Sequence, residues 1–250
     1  MRPKIEIVTH AYSIALPQYA VLLQAQLSSL VTHRPADVDV RITIAIHDDD
    51  VAVVDVLKKF PNELAFGVFD VMRCPKRLLF RRCIGRNAVA LQTNADLVWF
   101  ADCDYWFGPG CLDALWAAWV ALERTPGMIW PLHVHQHRDH ATGDAWWSSH
   151  VNTQPGILTI NENDFVQVPM RKAIGGVQIV GGDFAREHGY LNGQEKWQRP
   201  VLGDKPFPDF RDDVRYRKYC AAHGGVVGVA TPNLYRLRHS QVTYKPAVRR

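Results

Sequence analysis

Leu97 to Asp104 reads LVWFADCD, an unbroken apolar run of strand length that ends in two aspartates one residue apart. Bounded by Asp and followed by Phe107-Gly108-Pro109-Gly110, the run reads as a buried parallel strand that stops at a turn. Asp102 and Asp104 therefore sit at its carboxyl end, where open α/β sheets bind their ligands. With no basic residue beside them in the sequence, they are hard oxygen ligands suited to Mg²⁺ or Mn²⁺. A divalent ion held there neutralises a diphosphate.

The flanking segments alternate between strand and helix patterns. Lys4 to Thr9 is a short strand, and Pro17 opens an amphipathic helix, PQYAVLLQAQLSSLV. Val38 to Ile46 is a second strand ending in His47-Asp48-Asp49-Asp50; the helix that follows, Val51 to Phe60, takes Asp49 or Asp50 as its N-cap and stops at Pro61. Phe66 to Met72 is a third strand. A basic stretch (Arg73, Lys76, Arg77, Arg81, Arg82) leads to a helix opened by Gly85-Arg86-Asn87 and running to Ala95. This alternation predicts an α/β fold with a mostly parallel, Rossmann-like sheet and helices on both faces.

Beyond Gly110 the pattern gives a Trp-rich helix, Cys111 to Leu122, and a strand, Met128 to Val134. His133, His135 and His137 alternate onto one face, with His140 following. They read as edge-strand histidines, with a transition-metal cluster as the sharper alternative. Trp146, Trp147 and the stretch Gly156 to Gln167 are assigned to an acceptor side, where aromatic surface can stack on sugar rings or bases.

At 250 residues and 47% hydrophobic content the chain suits one large domain, 1–250. MRPKIEIVTHAY lacks the apolar core and cleavage site of a signal peptide, and no run reaches the ~18 apolar residues of a membrane span, so a cytoplasmic protein without a membrane span is expected. Five scattered cysteines, an odd number, read as free thiols. The net charge of +4 is uneven: residues 171–250 hold 15 Lys and Arg against 7 Asp and Glu, either a solvated surface or a field for a polyanionic acceptor.

The block GRNAVALQTNADLVWFADCD, in its order of helix, loop, strand and Asp-X-Asp, resembles the corresponding stretch of family 2 glycosyltransferases with the GT-A fold. Further matches are Gly175-Gly176-Val177-Gln178-Ile179-Val180, similar to a glycine-led strand before the catalytic carboxylate, and Asp212-Asp213-Val214-Arg215-Tyr216-Arg217 leading to Gly224, similar to the family's Glu-Asp helix with Asp in first place. The resemblance spans roughly residues 4 to 240 and implies a nucleotide-sugar-binding half, 1–110, and an acceptor-binding and catalytic half, 111–250. It departs at Thr9-His10-Ala11-Tyr12, which lacks the Pro and Asn of the family's turn.

The resemblance implies nucleotide-sugar contacts from Tyr12, Asp48, Arg86, Asn87, Asp102 and Gly176, and a Mn²⁺ or Mg²⁺ site from Asp104 and His239 with Asp102. It also implies a general base at Asp213, with Asp212 beside it. The expected activity is metal-dependent, inverting transfer from a nucleotide sugar, a UDP-sugar foremost, to an acceptor hydroxyl. That hydroxyl belongs either to a hydroxylated base in DNA, a nucleic-acid partner reached by base flipping, or to a carbohydrate. The competing readings are a nucleotidyltransferase, against which THAYSIALPQ offers no Gly-rich, Lys-containing phosphate loop, and a non-catalytic sugar-binding protein of the same fold.

Overall fold

The strand-forming segments of the first half fold in the order in which the sequence presents them. In a computed structural model that describes residues 2–14, 17–60, 69–137, 156–200 and 211–237, β1 (Lys4–His10), α1 (Gln18–Thr32), β2 (Asp39–Ile46), α2 (Val51–Lys58) and β3 (Phe69–Arg73) come first. They are followed by α3 (Lys76–Leu79), α4 (Arg82–Gln92), β4 (Leu97–Ala101), β5 (Tyr105–Phe107), α5 (Cys111–Ala121), β6 (Met128–Pro131) and β7 (His133–His137). The remainder comprises β8 (Phe165–Pro169), β9 (Val177–Gly181), α6 (Gly182–His188), α7 (Glu195–Gln198), α8 (Asp212–His223), β10 (Val226–Val229) and β11 (Leu234–Arg236).

The central sheet runs β10-β6-β9-β4-β1-β2-β3. β1 pairs in parallel with both β2 and β4, β2 with β3, and β10 with β6; β9 alone lies antiparallel, between β4 and β6. Every residue of β4 is buried, as its unbroken apolar run requires. A smaller sheet runs β5-β11-β7-β8. The two are joined at Leu132, whose N–H bonds Val229 O in the large sheet while its carbonyl accepts from Met170 N beside the small one, at 2.8 Å each. The single strand expected from Met128 to Val134 is thus two, divided where the chain changes sheets.

Two further expectations are corrected by packing. The helix expected to open at Gly85 begins at Arg82, and Gly85 lies inside it because a Cβ there would fall 2.6 Å from His10 Nε2. α1 is not amphipathic: Ala20 to Leu30 is buried throughout, Gln24, Gln26, Ser28 and Ser29 included. An amphipathic helix would turn those polar groups to water; buried, they need partners and find them in backbone outside the helix. Ser28 Oγ accepts from Leu158 N at 2.9 Å, Ser29 Oγ accepts from Phe107 N at 3.1 Å, and Gln26 Nε2 donates to Asp102 O at 3.0 Å. All five cysteines are free thiols, and no helix among the described residues is long and apolar enough to cross a membrane.

Candidate functional site

β4 ends at Ala101, and its carboxyl end meets three segments: the first turns of α4, the glycine pair before β9, and the start of α8. Arg82 and Arg86, one helical turn apart on α4, face the strand end together. Asp102 Oδ1 accepts from Arg86 Nη2 at 3.1 Å and also from Arg82 Nη1. Burial raises the proton affinity of Asp102, but Arg82, Arg86 and Arg236 outweigh it and hold the carboxyl down to about 2. The arginines were not apparent from the residues adjoining Asp-X-Asp, and they correct the reading of carboxylates without basic neighbours.

The other oxygen of Asp102 faces the glycine turn. A Cβ at Gly176 would lie 3.1 Å from Asp102 Oδ2 and would collide with the ring edge of Tyr105, so this position admits no side chain. A Cβ at Gly175 would meet nothing closer than Asp213 Cβ at 3.6 Å, Arg82 Nη2 at 3.8 Å and Asp102 Oδ2 at 3.9 Å. Gly175 therefore marks a small open space bordered by an arginine and two carboxylates that the sequence places far apart.

Asp213 lies half-buried in the first turn of α8, whose start it shares with the buried Asp212. Burial first, and the neighbouring Asp212 second, raise the pKa of Asp213 above the ordinary carboxylate value, against the opposing pull of the Val214 N–H, Arg82 and Arg86. Its Oδ1 accepts from Val214 N at 2.7 Å.

Asp104 is placed differently from Asp102. It is 3% exposed, its Oδ2 accepts from Arg236 Nε at 2.9 Å, and its carbonyl accepts from Leu237 N at 2.7 Å. Arg236 comes to it because β11 pairs antiparallel with β5, the three residues that directly follow Asp104. Asp104 and Tyr105 raise the pKa of Arg236, so this guanidinium stays charged. His239 lies outside the described residues, as do Trp146, Trp147 and His140.

The remaining expected contacts separate into exposed and enclosed groups. Asp48 is exposed at the end of β2, where its Oδ1 accepts from Arg73 Nη1 at 2.8 Å. Asp50 is the N-cap of α2: it accepts from Val53 N and Ile14 N, each at 3.3 Å, and from Ser13 Oγ. Tyr12 is enclosed, its ring 4.5 Å from Tyr19 and 5.6 Å from Phe80, so it presents no open face for a base. Arg86 is wholly buried, bonded to Tyr190 Oη and Ala101 O as well as Asp102, so it meets a ligand only through Asp102. Asn87 turns the other way, its Oδ1 accepting from Tyr190 N at 2.9 Å and its Nδ2 donating to Asn192 Oδ1 at 3.4 Å.

Of the histidines of β7, His133 is exposed and the other two pack on aromatic rings. His135 lies 4.8 Å from the Tyr235 ring and His137 5.4 Å from Phe165. Among the described residues no group of three His, Cys, Asp or Glu comes together as metal ligands, here or at the Asp-X-Asp turn.

No protein-family model and no curated protein matches the chain. Among solved structures it is similar to S. aureus TarS, with a TM-score of 0.56 at 10% identity over 94% of this chain and 37% of that one. TarS residues 1–349 in complex with UDP-GlcNAc give 0.57 at 11% identity, covering 95% of this chain and 59% of that one. The crystal structure titled TarS 1–349 alone gives 0.55 at 10% identity, covering 93% and 60%. The chain thus spans less than two thirds of these structures. The likeness shows the fold: a mixed α/β unit with a central, mostly parallel sheet.

Proposed function

We propose that the chain transfers a sugar, with inversion, from a nucleotide-sugar donor carrying UDP to an acceptor hydroxyl. The observation that carries this reading is the meeting of Asp102 Oδ2, Arg82 and Asp213 around Gly175, at the end of β4 where an α/β sheet binds its ligand. The shared fold, and the UDP-GlcNAc bound to TarS, support the choice of donor.

Each residue then has a task set by its surroundings. A leaving diphosphate develops negative charge, and Arg82, one fifth exposed, meets it. Arg86, wholly buried, holds Asp102 in place. An acceptor hydroxyl becomes a good nucleophile as its proton leaves, and Asp213, whose burial raises its proton affinity, accepts that proton. One base and no covalent intermediate give a single displacement, and so inversion at the anomeric carbon.

A divalent cation at this turn would take Asp102 as its carboxylate ligand, because Asp104 is enclosed and tied to Arg236. The carboxylate oxygen of Asp102 turned from the arginines faces the Gly175-Gly176 cradle, and the chain leaves Leu237, bonded to Asp104 O, two residues before His239. Asp102, joined by His239 or by the donor's phosphates, would hold Mn²⁺ or Mg²⁺. When bound, the ion supplies Lewis-acid neutralisation of the leaving diphosphate.

The test is UDP release from UDP-GlcNAc with water as acceptor, alongside calorimetric titration of UDP-GlcNAc. Wild-type protein is expected to bind the nucleotide sugar and release UDP slowly, and Asp213→Asn to bind it equally and release UDP about 10²–10⁴-fold more slowly still. Absence of both binding and release in the wild type would overturn the reading.

A further inference from the structure

The two halves of the proposed site are joined underneath through Arg86 and two side chains the mechanism has not used, Tyr190 and Gln178. Asp102 Oδ1 accepts from Arg86 Nη2 at 3.1 Å. Arg86 Nη1 donates to Tyr190 Oη at 3.2 Å, Tyr190 Oη–H donates to Gln178 Oε1 at 2.8 Å, and Gln178 Nε2 donates to the backbone oxygen of Asp213 at 2.8 Å. The chain runs from the end of β4, through α4, the turn after α6 and the middle of β9, to the first turn of α8.

Resting on the proposed reading, we infer that Tyr190 and Gln178 are positioning residues that fix the base Asp213 relative to the donor-side carboxylate Asp102. Three features separate this chain from incidental core hydrogen bonding. Arg86, Tyr190 and Gln178 are all at 0% exposure, in a core otherwise built of Phe100, Val180 and Tyr216, so no water can replace a lost partner. Every donor points the same way, from the guanidinium to the Asp213 carbonyl, so each bond polarises the next. And Gln178 bonds the main chain of the base residue itself, in a helical turn that receives no side-chain cap from its N-cap residue Arg211.

The rings hold this geometry as well as the bonds do. Arg86 Cζ lies 5.3 Å over the Tyr190 ring, and Tyr190 packs edge-on to Phe100 at 4.8 Å and against Tyr216 at 4.0 Å. Tyr216 shares this packing and takes no part in the chain of bonds from Asp102 to Asp213. It is therefore the control that separates aromatic packing from hydrogen-bonded positioning.

The experiment compares Tyr190→Phe and Gln178→Met with Tyr216→Phe, with two readouts. In UDP release from UDP-GlcNAc, the first two variants should lose at least tenfold in kcat with KM unchanged within twofold. Adding Tyr190→Phe to Asp213→Asn should cost nothing further, because a positioning residue has no effect once the base is gone. Backbone hydrogen exchange, which needs no turnover, should quicken in both variants at the first turn of α8, residues 213–216, and stay as in wild type in Tyr216→Phe. Exchange there equal to wild type, or quickened equally by Tyr216→Phe, overturns the positioning role whatever the activity. Quickened exchange in a wild-type background that neither binds nor turns over UDP-GlcNAc sustains the link between the two segments and overturns the transferase reading instead.

Discussion

Gly175 and Gly176 are neighbours whose replacement by Ala should fail in different ways. A methyl on Gly176 enters the ring edge of Tyr105, which is 1% exposed and has no free space to retreat into, and comes 3.1 Å from both Cβ and Oδ2 of Asp102. Forcing a methyl into a closed contact costs about 1–3 kcal/mol. Relief by moving the backbone has its own cost, because Gly176 O accepts the indole N–H of the buried Trp99 at 3.0 Å, and leaving that donor unpaired costs about 1–3 kcal/mol. Either route puts Gly176→Ala about 1–3 kcal/mol below wild type. A methyl on Gly175 meets only ordinary contacts of 3.6 to 3.9 Å, so its effect on stability should stay within about 0.5 kcal/mol. It occupies the space between Asp213, Arg82 and Asp102, however, so it should weaken UDP-GlcNAc binding or UDP release at least tenfold. Urea unfolding gives the first quantity and titration with a UDP-release assay the second. A Gly175→Ala protein with normal binding and turnover, or one destabilised as much as Gly176→Ala, would refute the placement of the site at this turn.

Asp213→Asn keeps the size and the acceptor of the Val214 N–H, so it should bind UDP-GlcNAc normally while turnover falls about 10²–10⁴-fold, and Asp212→Asn should lose much less; wild-type turnover should also fade on the acid side at a pH above the ordinary carboxylate range, as the raised proton affinity of Asp213 requires. Arg86→Met removes a wholly buried cation from Asp102 and should destabilise the fold by about 3 kcal/mol in urea unfolding, the low end for a broken buried pair because Asp102 keeps Arg82; an unaltered midpoint would return Arg86 to a ligand-binding role. Asp50→Ala deletes the N-cap of α2 and should cost about 0.5–2 kcal/mol in the same assay, with no loss beyond scatter showing that the cap is idle. Burial, then Arg86 and Arg82, hold the His10 pKa well below its ordinary value, so as pH falls below about 6.5 the unfolded chain takes up a proton that the folded one refuses and stability drops; unfolding midpoints between pH 7 and pH 5 should fall less steeply in His10→Gln than in wild type.

What the sequence disclosed and what it concealed follow from the range of the interactions involved. β4 is a continuous apolar run, and β1 and β2 alternate apolar with polar residues, so a local pattern suffices to find them, and the expected mostly parallel α/β sheet is the one observed. β5 and β11 have three residues each, too few to show a period, and they exist because they pair with one another across about half of the chain. The second sheet was therefore invisible, and so was the division at Leu132. The burial of α1 on every side was concealed for the same reason, since its glutamines and serines are accounted for only by the loops they bind.

The site shows the same division between short-range and long-range signals. Arg82 lay just outside the expected helix, four residues before Arg86; with the helix begun at Arg82 instead of Gly85, i, i+4 spacing places both guanidinium groups on one side. Arg236 was not recoverable from the sequence, because it reaches Asp104 through the register of β11 on β5, and nothing near either residue encodes that register. The Asp-X-Asp triplet accordingly reads in one dimension as two equivalent ligands and folds into two different groups. Asp102 keeps one oxygen on an open turn beside Asp213, while Asp104 is enclosed and tied by Arg236 and the Leu237 N–H. A pair of carboxylates made unequal in this way can serve a donor on one side and fasten the C-terminal segment on the other, which explains why residues at the end of the chain return to a motif near its middle.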